Sequence, residues 1–171
     1  MTAGSAIKCV IAAGFLALAG CHDVDTDRIP YSPVRIEFAT IGDWHTYGVG
    51  GAATARRFIL SREPAGFPYT ALSATGYGGV LLVGTYAYSG DPSLNPPAAF
   101  DMACPVEMRP DVRVAVDSDA LCARCPKCGS TYDIFNGTGM PLAGIAATHG
   151  YGLRVYRCIP GGQGYYLAVS N

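Results

Sequence analysis

The sequence is 171 residues long, with 12 basic and 13 acidic side chains and a net charge of −1 at neutral pH. This balance offers no basic face for nucleic acid, and no stretch after the N-terminus is apolar over the ~20 residues that a membrane-spanning helix needs. Glycine (22), proline (12) and tyrosine (11) are abundant, which favours short strands and turns over helices, and the length suits one domain.

The first 20 residues carry one charge, Lys8, ahead of an apolar stretch from Cys9 to Ala19. A charged start, a short apolar region and small residues at its end form a secretory signal peptide over residues 1–20. The stretch ends in Leu18-Ala19-Gly20-Cys21. A cysteine directly after Leu-Ala-Gly resembles the lipobox of bacterial lipoproteins, which implies cleavage before Cys21, diacylation of its sulfur and acylation of its new amino group. Several acyl chains on one residue anchor a protein stably without a spanning helix. The plainer alternative is a secreted protein whose signal happens to end near a cysteine. Residues 22–27 are polar and acidic, and Pro30 and Pro33 follow. Residues 21–33 therefore read as the lipidated cysteine and its tether. The expected location is the bacterial cell envelope, lipid-anchored, at the outer membrane of a Gram-negative bacterium. Without Lys8 the net charge becomes −2, and Lys127 is the one remaining lysine, so no polybasic patch reinforces membrane binding.

From residue 34 onward the pattern is that of short strands. Val34-Arg35-Ile36-Glu37-Phe38 alternates apolar and polar, the period of a half-buried strand. Residues 41–77 show no clear period, although Arg57-Phe58-Ile59-Leu60 reads as a strand and Pro64–Pro68 as a loop. Gly79–Tyr86 is rich in branched residues and reads as a buried strand. Ser89–Pro97 is an exposed loop, and Ala98–Ala103 returns as a strand running into Cys104. Val112, Val114 and Val116 alternate with polar residues, Asp117-Ser118-Asp119 turns, and Leu121–Arg124 leads to Cys125. Leu153–Arg157 and Tyr165–Val169 form a closing hairpin across Pro160-Gly161-Gly162. No stretch keeps a helical period, so the class is all-β over residues 34–171.

Beyond Cys21, the processed chain holds Cys104, Cys122, Cys125, Cys128 and Cys158. An exported protein is free to form disulfides, but an odd number leaves at least one thiol unpaired or bound to metal. Cys104-Pro105-Val106-Glu107 and Cys125-Pro126-Lys127-Cys128-Gly129-Ser130 resemble each other, each placing a cysteine at a tight turn. Cys-x-x-Cys with an internal proline and a following glycine is a metal knuckle, although a local disulfide or a redox dithiol uses the same spacing.

The surroundings of these loops resemble the Rieske family. Gly76-Tyr77-Gly78-Gly79-Val80-Leu81-Leu82-Val83 comes first, then Ala99–Pro105 and the valine strand. Next come Cys125-Pro126-Lys127-Cys128-Gly129-Ser130-Thr131-Tyr132-Asp133, Asn136-Gly137, Pro141–Gly144 and a Leu-Arg-x-Tyr strand at 153–156. Rieske proteins hold a [2Fe–2S] cluster between a Cys-x-His loop and a Cys-x-x-His loop, with two cysteines on one iron and two histidines on the other. Within that family the chain is similar to a lipoprotein subgroup whose second-loop histidine is cysteine. The resemblance implies stacked antiparallel sheets, a small two-loop cluster-binding subdomain, electron transfer, and a redox partner protein in the membrane system. Cys104 and Cys125 match the cysteine positions and Cys128 the second histidine position, while the first histidine position is Val106. Glu107 and Cys122 are the candidates for a fourth ligand.

Three states of this site follow: a [2Fe–2S] centre with atypical ligands, a mononuclear zinc or iron site, or a cluster-free fold in which Cys104 and Cys125 pair as a disulfide. In the last case the protein is an envelope lipoprotein with a binding or structural role. An independent catalytic activity is the weakest reading. No serine or cysteine nucleophile sits in a recognisable elbow, and His149 reads as a loop residue.

Overall fold

Residues 23–162 and 165–171 are described by a computed structural model of the chain. Residues 1–22, where a signal peptide and a lipidated Cys21 are expected, lie outside the described residues. Two antiparallel sheets form the fold, as the all-β reading expects. The larger has seven strands in the order β2-β4-β5-β10-β11-β1-β3, built from β1 (Val34–Phe38), β2 (Thr54–Phe58), β3 (Ala74–Thr75), β4 (Val80–Gly84), β5 (Ala98–Asp101), β10 (Val155–Gly162) and β11 (Tyr165–Ser170). The smaller has four, in the order β6-β7-β8-β9: β6 (Ala115–Asp117), β7 (Cys122–Arg124), β8 (Thr131–Tyr132) and β9 (Pro141–Ala143).

Side-chain alternation explains the packing. In β1, Val34, Ile36 and Phe38 are buried while Arg35 is exposed. In β4 every residue is buried, because both of its faces are covered. Val80 and Leu82 face an aromatic core with Phe38, Trp44, Phe58 and Phe67, whereas Leu81 and Val83 face a second core with Phe100, Met102, Tyr132 and Ile134. This second core lies between the two sheets and includes Cys104 and Cys125. The long strand β10 links the halves of the large sheet, pairing with β5 at Val155 and Tyr156 and with β11 from Arg157 onward.

Several expectations need correction. Among the described residues there are two short helices, α1 (Ile41–Tyr47) and α2 (Ile145–His149). The first starts at a capping box: Thr40 Oγ1 accepts from the Asp43 N–H, and the Asp43 carboxylate accepts from the Thr40 N–H. Two orphan donors are satisfied this way, and buried Trp44 then fixes the helix to the aromatic core. A helix this short shows too few turns for its period to be read. His149 ends α2 and stacks on Tyr151 rather than sitting in a loop. The closing hairpin is longer than expected, since Pro160 and Gly162 still pair with Leu167 and Tyr165. The strand expected at 57–60 begins earlier, at Thr54, and ends at Phe58.

The segment read as a tether is docked rather than free. Asp25 bridges to Tyr151, donating its N–H to the Gly150 carbonyl and accepting from the Gly152 N–H. Ile29 is 2% exposed, and Arg154 donates to its carbonyl. The folded unit therefore reaches back at least to Asp25, ahead of Val34.

One buried carboxylate joins the strands that lead to the cysteines. Asp101, at the end of β5, is fully buried and accepts from the Tyr77, Gly78 and Ala103 N–H groups at 2.8, 2.9 and 2.7 Å and from the Tyr156 hydroxyl at 2.5 Å. Asp101→Ala leaves these donors buried without an acceptor, and an unmet buried donor costs about 1–3 kcal/mol. We expect the variant to lose about 3 kcal/mol or more, read as a lower urea midpoint; an unchanged midpoint would contradict this role.

Candidate metal centre

Two loops of the same local build frame the site. Loop one is Cys104–Met108, entered from β5; loop two is Cys125–Gly129, between β7 and β8. Proline follows the cysteine in each, and its fixed φ suits the first corner of a turn. Each loop closes with the same hydrogen bond: the Met108 N–H donates to the Cys104 carbonyl, and the Gly129 N–H to the Cys125 carbonyl, at 2.9 and 3.0 Å. Each closing residue takes a left-handed conformation, with φ of +50° at Met108 and +72° at Gly129. Glycine tolerates that readily, whereas methionine is strained there.

The loops are held by the strands behind them. The Cys104 N–H donates to the Val112 carbonyl, and the Val114 N–H to the Met102 carbonyl, so the residues ahead of β6 tie loop one to the small sheet. The Cys125 N–H donates to the Ser130 carbonyl, closing the mouth of loop two. Arg28, from the docked N-terminal segment, lies 3.7 Å above the Tyr151 ring and donates through Nε to the Pro105 carbonyl.

These constraints bring three thiols together. The sulfurs of Cys104, Cys125 and Cys128 all lie within 4.8 Å of one another and can hold a metal ion, with Cys104 Sγ and Cys128 Sγ 3.7 Å apart. Cys104 and Cys125 are buried and Cys128 is partly exposed. The Tyr132 hydroxyl is 3.5 Å from Cys104 Sγ, and Ser130 Oγ is 3.3 Å from Cys128 Sγ. Ser130 Oγ accepts from both the Cys128 thiol and the Ala146 N–H.

The other candidates lie elsewhere. Glu107 is not one of the three converging groups, and its carboxylate pairs with the Lys127 ammonium. Cys122 is buried in β7 opposite Asp117, and Cys158 sits in β10 against the aromatic core. Val106 packs on the second core. Cys104, Cys122, Cys125, Cys128 and Cys158 are free cysteines in this structure. Reading the sequence alone missed Ser130, Tyr132, Lys127 and Arg28 as parts of the site. The first three lie in or beside the Cys-Pro-Lys-Cys-Gly-Ser-Thr-Tyr motif, whereas nothing local marks Arg28, which reaches loop one from 77 positions away.

Burial and hydrogen bonding separate the thiols. Burial pushes the Cys104 thiol up to about 12, against the pull of the Tyr132 hydroxyl and the Glu107 and Val106 N–H groups. At Cys128 burial also raises the pKa, but hydrogen bonding with the Ser130 side chain and backbone and with the neighbouring thiols outweighs it and holds the group below the ordinary thiol range. The Tyr132 hydroxyl is raised by burial and by the adjoining Cys104. Compared with family models and with curated proteins, the sequence matches none.

Only a thiolate is nucleophilic, so the metal-free protein should react in a fixed order. With iodoacetamide at about pH 8, Cys128 is expected to be alkylated before Cys104. Peptide mass spectrometry reads the order, and equal labelling of both would count against this assignment.

Proposed function

We propose that this chain is a lipid-anchored protein of the bacterial cell envelope whose paired loops hold a single thiolate-bound metal ion. The observation that carries the proposal is the spacing of the sulfurs. A tetrahedral ion with metal–sulfur bonds of about 2.3 Å places its sulfurs about 3.8 Å apart, and Cys104 and Cys128 stand 3.7 Å apart. A Rieske cluster fits this arrangement poorly. It would put those two ligands on different irons, with the sulfide bridges between them, and Val106 offers no ligand at the remaining position. Soft thiolates favour zinc, iron or copper(I) over hard cations. Such an ion would tie loop one to loop two across the face of the second core, as structural thiolate sites do.

A second reading keeps the [2Fe–2S] centre and an electron-transfer role with a redox partner protein. What favours it is the polar surroundings of the sulfurs: Tyr132 and Ser130 both lie in hydrogen-bonding range of a thiol, and hydrogen bonds to sulfur tune the potential of an iron–sulfur centre.

Metal and acid-labile sulfide analysis on the anaerobically purified full chain separates the two. One metal ion per chain with no sulfide is expected, lost in Cys104→Ser, Cys125→Ser and Cys128→Ser. Two irons with two sulfides would establish the second reading. Metal-free protein with all three thiols intact would overturn both.

A further inference from the structure

A tetrahedral ion held by these three sulfurs would need a fourth ligand. Resting on the single-ion reading above, we propose that Glu107 is the fourth ligand, filling in loop one the place that Cys128 fills in loop two.

The argument is the internal likeness of the loops. Each begins Cys-Pro, each returns a hydrogen bond from its fifth N–H to its first carbonyl, and each ends on a left-handed residue. Backbones with the same closure and the same final dihedral present their first and fourth side chains to one side of the turn. In loop two those are Cys125 and Cys128, and both reach the cluster. In loop one they are Cys104, which also reaches it, and Glu107. The left-handed Met108 strengthens the likeness. A methionine does not take this conformation for its own sake, so the closure of loop one holds it there.

The placement of Glu107 agrees. Its side chain is only 14% exposed, unusual for a glutamate beside a surface loop, and it reaches across the seam between the loops to Lys127 of the opposite one. Lys127, at 55% exposed, is well placed to swing into solvent. A rotation of the Glu107 side chain exchanges the ammonium for the metal, and the carboxylate is a known zinc ligand type with a metal–oxygen distance of about 2.0–2.2 Å. No bond is oxidised or reduced in this exchange. The carboxylate oxygen donates its lone pair to the ion, and Lys127 keeps its proton. The centre is then three thiolates and one oxygen.

Cobalt(II) in place of the native metal tests the assignment, because its thiolate charge-transfer absorption reports how many sulfurs bind. The full chain is titrated with cobalt and competed with zinc, in wild type, Glu107→Gln and Glu107→Cys. Wild type is expected to give a three-thiolate spectrum. Glu107→Cys should raise the charge-transfer intensity by about a third, as a fourth thiolate joins. Glu107→Gln should lose zinc affinity by roughly tenfold or more and shift the cobalt d–d bands. If both variants match wild type in spectrum and affinity, Glu107 is not a ligand, while the three-thiolate centre stands. If the wild type takes up neither ion, the centre itself fails and this assignment with it.

Discussion

Asp101 is the constraint on which the architecture of the site rests. A carboxyl buried in an apolar interior is costly to desolvate, and its pKa is raised above the usual range by that burial even against four hydrogen-bond donors. Those donors come from three separate places: the Tyr77-Gly78 turn ahead of β4, the Ala103 N–H just before Cys104, and the Tyr156 hydroxyl on β10. The turn has no room to adjust. A Cβ on Gly78 would stand 2.4 Å from the Ala103 nitrogen, so the chain must carry glycine there to let two backbones touch. Arg113 adds a hydrogen bond to the Gly78 carbonyl. Cys104 therefore leaves the large sheet along a line fixed from several sides.

The other half of the site is fixed by the small sheet. Loop two is the connection of the β7–β8 hairpin, and its depth is set by Ala123 and Tyr132, both buried in the second core. That core supplies the low dielectric that raises the Cys104 thiol, and the loop backbone supplies the N–H groups that lower it again. The same geometry thus produces one reluctant thiol and one willing one, a few ångströms apart. In a metal-free domain this difference governs which sulfur is attacked. With a metal bound, the ion takes over the work of the missing protons, and affinity becomes coupled to pH because each thiol must be deprotonated to bind.

The strands were legible where one face is buried and the other is wet, as in β1, and where both faces are buried, as in β4, because these leave alternation or an unbroken apolar run. The knuckle at Cys125 was legible because proline and glycine mark its corners. The helix α1 hid in a stretch without a visible period, although Thr40 and Asp43 carry a capping-box spacing. Lys127 gave no signal as a partner of Glu107, since the pair spans two loops and exists only once both have folded. A fourth ligand was equally hard to choose from spacing. Cys122 lies three residues before Cys125 and seemed as near as Glu107, but the strand β7 carries it away from the cluster, whereas the closure of loop one keeps Glu107 at the seam.

The N-terminal segment shows how far the site depends on parts distant in sequence. Its acidic and proline-containing composition suggests a solvated spacer, but Asp25 pairs with the chain around Tyr151, Ile29 is buried, and Arg28 is stacked on Tyr151 with its guanidinium on the Pro105 carbonyl. The cation–π contact and the carbonyl bond act on one side chain, so Arg28 is fixed at both its face and its edge. Loop one is thereby clamped from outside by Arg28 and from inside by Val112. An extended chain covers at most about 3.5 Å per residue, so a lipid on Cys21, as proposed, would hold the Asp25 end of the domain near its membrane. The anchor and the metal loops would then not be separate modules joined by a flexible spacer, because the strap that follows the anchor is itself part of the wall of the site.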